Sequence, residues 1–156
     1  MGPTQPVATF SLKGCIIAVG GIDLSGFGDG DALKIESDGE AFAVTKGVDG
    51  TVVRASTGNH TAEGGLYKIT LSLLQTSSYN AKMSSIFLTD TGSPFGLIVP
   101  FIFKDLGGFD KFNSSEFWVM GPPSMSRGNK VNNHDWPCMA KGKLFLGGQF
   151  PTPVGF

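Results

Sequence analysis

Residues Leu66 to Pro94 read LYKITLSLLQTSSYNAKMSSIFLTDTGSP, a half-buried strand that runs through a serine pair into a short amphipathic helix. Tyr67, Ile69, Leu71 and Leu73 alternate with Lys68, Thr70 and Ser72. That period of two puts one face on a core and leaves the other wet or covered by a partner. Ser77 and Ser78 then break the pattern and can cap a helix over about 78–90, whose apolar positions Tyr79, Met83, Ile86 and Phe87 fall on one side. Gly92 and Pro94 are its stop signals.

The rest of the chain reads as β-structure. Ala8 to Val19 is a first strand, with Phe10 and Leu12 against Thr9, Ser11 and Lys13. A glycine-rich loop follows, then a short strand from Ala32 to Glu36. Residues 37–50 hold two turn signals, Asp38-Gly39 and Asp49-Gly50, around Ala41 to Thr45, and read as a protruding hairpin. Further strands are expected at Thr51 to Ser56, Phe95 to Phe103, Phe117 to Met120 and Trp136 to Leu146. The run Phe95 to Phe103 is nearly all apolar, which implies cover on both faces, and Pro100 within it points to an edge or a bulge. These elements predict one mainly β domain over 1–156: a small β-barrel or sandwich with one flanking α-helix and extended loops.

A chain of 156 residues can bury ~70% of the surface its unfolded form exposes, enough for a real core. Glycine, 23 of 156, is about twice its usual ~7% share, as a loop-rich β-protein requires. The net charge of −1 argues against a protein that binds nucleic acid by neutralising phosphates. Charge is unevenly spread. Seven acids against Lys34 and Lys46 make residues 23–49 net −5, and from residue 79 onward bases outnumber acids, a pattern that suits head-to-tail contact between copies. Cys15 and Cys138 are too few for a disulfide framework and are expected as thiols in a reducing compartment. Neither a signal peptide nor a membrane segment is read in the sequence, so a soluble protein made in the cytoplasm is expected.

No catalytic, cofactor or metal site emerges. The Gly-Asp run at Phe27 to Asp31 occurs once, whereas calcium repeats stack, and it lacks the Lys-Ser or Lys-Thr of a phosphate loop. His134 and Cys138 on one strand would stand ~13 Å apart at ~3.3 Å per residue, too far for a nucleophilic dyad. His60 has no partner at metal-ligand spacing. The loop acids Asp29, Asp31, Asp38 and Glu40 lack an apolar pocket that would raise one pKa for acid catalysis. A carbohydrate-binding β-sandwich is a separate possibility, and it requires Trp118 and Trp136 exposed on one face.

Several stretches, taken in order, resemble the tail tube proteins of contractile-tailed bacteriophages. They are Phe27 to Glu36, Gly47 to Thr51, Ile69 to Ser78 with Asn80, Ile102 to Leu106, and Gly128 to Trp136. The Leu-Leu-Gln-Thr-Ser run before the helix is the most specific of them. The resemblance implies a structural virion protein and not an enzyme, with no cofactor. It implies hexameric rings that stack into a hollow tube inside a contractile sheath, assembled in the host cytoplasm. Implied partners are further copies of the chain, the sheath protein, the baseplate tube initiator, the tape measure protein and the tail terminator, with DNA passing through unbound. A tailocin or secretion-system tube fits the same resemblance. On this footing Thr9, Ser11, Lys68, Thr70 and Ser72 are expected to face the lumen. Asp38, Glu40, Phe42, Lys46 and Asp49 are expected at the ring-stacking interface.

Overall fold

A computed structural model describes residues 14–28, 31–106 and 109–147. Ten strands and one helix follow in chain order: β1 Cys15–Val19, β2 Ile22–Asp23, β3 Leu33–Ser37, β4 Phe42–Lys46, β5 Val52–Ser56, β6 His60–Thr61, β7 Gly64–Leu74, α1 Tyr79–Gly92, β8 Val99–Asp105, β9 Lys111–Val119 and β10 Asn133–Phe145. Eight of the strands form one antiparallel sheet in the order β2-β1-β8-β9-β10-β7-β3, with β6 beside the start of β7. It curls into half a barrel with one helix, a mainly β fold. The pair β4-β5 stands apart as its own two-stranded sheet.

Alternation dictates the inner face. On β7, Ile69, Leu71 and Leu73 are buried, and on β10 His134, Trp136, Cys138 and Ala140 are buried opposite them. Phe101, Phe112 and Phe117 fill the centre. Phe101 stacks on Phe117 at 4.9 Å between centroids, and Tyr67 meets Phe112 edge-on at 5.2 Å. Offset and edge-on pairs of this kind add about 0.5–1.5 kcal/mol beyond their area burial. The helix closes this core with Met83 and Ile86, flanked by Tyr79 and Phe87, the four positions its periodicity selects.

Two prolines show how a sheet tolerates a missing donor. Pro100 sits at a register shift between Val99 and Phe101, so β8 lies inside the sheet, between β1 and β9, with a bulge at the proline. Pro137 lies on central β10, but its carbonyl accepts from Met120 N just past the end of β9, so its nitrogen faces the side where the neighbour has run out. A further bulge falls at Lys141/Gly142, where a Cβ on Gly142 would strike the Asn113 carbonyl, Ser114 Cβ and the Phe112 ring. Only glycine fits there.

Some boundaries differ from the sequence reading. The hairpin read at 37–50 is instead β4 with β5, paired from Phe42↔Ser56 to Lys46↔Val52. Asp49-Gly50 is its turn, not its end, because Gly47 O accepts from Gly50 N and Gly50 takes φ +89°. The helix runs to Gly92, with Ser93 extended after it. Ser78 already has helical backbone and makes no capping bond, so Ser77 does that work: its Oγ accepts from Tyr79 N and donates to Ser25 O.

Candidate assembly surfaces

The outer face of the curled sheet carries Lys68, Thr70 and Ser72, three of the five residues expected in the lumen. Thr9 and Ser11 lie outside the described residues. Lys68 is exposed, 3.9 Å from Asp38, and Thr70 is half-buried. Ser72 shares this face but is buried: its hydroxyl donates to Asp135 Oδ1 at 2.5 Å, and its backbone bonds Gly28 N and Ala32 O. Its hydroxyl is therefore spent inside the protomer.

The same face holds a feature that the sequence conceals. Lys104 is directly opposite Lys111 across β8 and β9, and Lys143 follows on β10, two residues from the Phe145 that pairs with Lys111. All three are exposed, and none makes an ion pair among the described residues. Like charges facing each other across strands cost about 0.2–1 kcal/mol. Lys104 and Lys111 flank the short β8–β9 connection, and the sheet register brings the distant Lys143 diagonally beside them on the same face.

The hairpin is the second surface. Every residue of β4 and β5 is exposed, including Phe42, Val44 at 68%, Val52 at 62% and Val53. Phe42, Val44, Lys46, Val52 and Arg54 share one face by register, with the Arg54 guanidinium 4.1 Å from the Phe42 ring centre. The root is fixed where Thr57 Oγ1 and Asn59 Nδ2 donate to Glu40 O, and Thr57 N to Ala41 O. Asp49 closes the turn by accepting from Thr51 N, which holds its carboxyl below the usual range. Of the expected stacking residues, Phe42, Lys46 and Asp49 are on the hairpin and its turn, and Asp38 and Glu40 are at its base. An isolated two-stranded sheet is marginal in water and cannot bury a valine-rich face alone.

The third surface is the seam of the half-barrel. Residues of β1, β3, β8 and β10 line an open groove of about 520 Å3, with Ile17, Leu33, Ile35, Phe103 and Leu144 as its apolar lining and Asp31 and Asp110 among its residues. Cys15 also lines it.

No protein-family model matches the sequence, and no curated protein does. Solved structures do. The anti-feeding prophage cap, a tube-terminating cap, aligns over 94% of this chain and 95% of its own, with a TM-score of 0.57 and 14% identity. The sheath/tube terminator of the extracellular contractile injection system PVC aligns over 93% and 99%, with a TM-score of 0.51 and 10% identity. A chain of the PVC sheath-tube complex aligns over 86% and 88%, at 0.50 and 12%. This is the contractile-tail tube fold. At such identities the likeness establishes architecture, and the tail-tube fold accounts for the curled sheet with its flanking helix.

Within this tail-tube fold the residues considered for chemistry stay apart. Cys138 is buried, and burial pushes its thiol far above the ordinary value, so it stays protonated and unreactive. His134 is buried on the same strand face with Nδ1 lacking a hydrogen-bond partner. His60 bonds the Ser37 hydroxyl at 2.8 Å and packs edge-on against Tyr67. No cluster of three metal-ligating side chains occurs among the described residues, and no helix there is long and apolar enough to cross a membrane. The two tryptophans lie on opposite faces: Trp136 is buried, and Trp118, paired with Met139, points outward. That removes the shared aromatic face a carbohydrate-binding sandwich needs.

Proposed function

We propose that this chain is a structural component of a contractile tail, not an enzyme, and that it assembles with copies of itself into hexameric rings that stack as the inner tube. The observation that carries this reading is the β4-β5 hairpin, an apolar two-stranded sheet with no core of its own and a braced root. Such an element becomes stable by covering its face on another subunit. Phe42, Lys46 and Asp49 are the contact residues, with Asp38 and Glu40 at the base of the hairpin.

The polar outer face, with Lys68 and Thr70, lines the lumen in this reading, and Ser72 supports it from within. DNA passes through without base-specific contact in a phage tail. The sheath, the baseplate initiator, the tape measure protein and the terminator are the partners, and the virion tail is the location. A tailocin or secretion tube would use the same surfaces. Native mass spectrometry of the purified protein tests the ring: a species of six chain masses is expected, and a lone subunit at all concentrations would oppose it.

A terminator role is the second reading, because a tube-terminating cap and a sheath/tube terminator are among the solved structures with this fold. A terminator would form single rings that never stack. Electron microscopy of the hexamer fraction separates the two.

A further inference from the structure

Among the described residues nothing covers the hairpin face or fills the seam groove, and the two are complementary in charge. The hairpin face that carries Phe42, Val44 and Val52 also carries two cations, Lys46 and Arg54. The seam groove has an apolar lining with two acids, Asp31 and Asp110. Within one chain the hairpin does not fill the groove, since all ten residues of β4 and β5 are exposed and none lines it. The match is therefore available to a second copy, and a heterologous contact of this kind repeats along an assembly because each copy offers both halves.

We infer that the seam groove is the receptor for the β4-β5 hairpin of a neighbouring copy. Phe42, Val44 and Val52 enter between Ile17, Ile35 and Leu144, and Lys46 and Arg54 meet Asp31 and Asp110. Burying three large apolar side chains supplies the driving force. The paired charges fix orientation and register more than they add affinity. The inference rests on the reading of the chain as a self-assembling tail component and adds to it the surface that receives the hairpin.

Cys15 on the groove makes this testable with a single introduced thiol. Val44→Cys, at an exposed site, is assembled, oxidised at pH 9 and run without reducing agent, beside the same variant carrying Cys15→Ser. Cys138 is buried and does not compete. A ladder of covalent oligomers that Cys15→Ser abolishes is the expected result. Rings or tubes visible by electron microscopy without that ladder would overturn the groove as receptor and leave the tail-component reading standing. A ladder that persists in Cys15→Ser would also overturn it, because the hairpins would then be meeting each other. Failure of both wild type and variant to associate at any concentration would sink the reading and the inference together.

Discussion

Trp136 Nε1 donates to Asn80 Oδ1 at 3.0 Å, and the amide of the same asparagine donates to Leu74 O at 2.8 Å. One side chain thus ties the central strand β10, the end of β7 and the first turn of α1 into a unit. At its other end the helix is held by Asp90 Oδ1, which accepts from Leu97 N at 2.7 Å. The helix is therefore fixed over the core at both ends.

Asn80→Leu leaves the indole N–H without its partner, while the Leu74 carbonyl keeps its bond from Ser77 N. An unsatisfied buried donor costs about 1–3 kcal/mol. Urea denaturation should show a loss of about 2 kcal/mol, or roughly 4–8 °C in Tm for a domain of this size. An unchanged midpoint would mean that water replaces the amide at no cost.

Gly142→Ala drives a methyl group into the Asn113 carbonyl and the Phe112 ring at the β9–β10 bulge. Overpacking of this kind costs about 1–3 kcal/mol. Equilibrium unfolding should register that loss, whereas Gly121→Ala, with no atom within 4 Å of its Cβ, should change stability far less.

Cys138 gives the fold a pH dependence in the alkaline range. Burial raises its pKa in the folded chain above the ordinary 9.0, and Cys15 is shifted the same way by burial and by Asp105. The unfolded chain loses these thiol protons first, so deprotonation favours unfolding. Stability is full below pH ~9 and falls above it, by up to ~1.4 kcal/mol per pH unit for the buried Cys138 thiol. Urea midpoints at pH 8 and pH 10 should fall less steeply in Cys138→Ala than in wild type. Parallel slopes would show that other groups dominate.

Val44→Asp places a charge on the hairpin face and touches no core residue. Surface substitutions of this kind change stability within about ±0.5 kcal/mol. Unfolding should therefore match wild type, and sedimentation should show the loss of higher assemblies. Assembly at wild-type concentrations would remove the hairpin from the interface.

The parts legible in the sequence are those where neighbouring residues alternate. Ile69, Leu71 and Leu73 announced the buried face of β7, and Met83 with Ile86 announced the helix face, because each signal lies within a few residues. The hairpin was displaced because Asp38-Gly39 and Asp49-Gly50 are equally good turn signals. The second lies between two valine-rich strands, and only the pairing of Phe42 with Ser56 shows that it is the tip. The placing of Lys143 beside Lys104 and Lys111, and the seam groove, depend on which strands become neighbours. β1 pairs with β8 across more than eighty residues, and no local pattern encodes that choice. The burial of Ser72 has the same origin, since Gly28 and Ala32, which bond its backbone, are about forty residues away in the chain.

Negative-stain electron microscopy of the wild-type protein over a rising concentration series addresses the central claim, that the chain builds a tail tube from copies of itself. The account predicts hollow, stain-filled rings that stack into tubes as concentration increases. Isolated subunits at every concentration, with rings absent even at the highest, would contradict it.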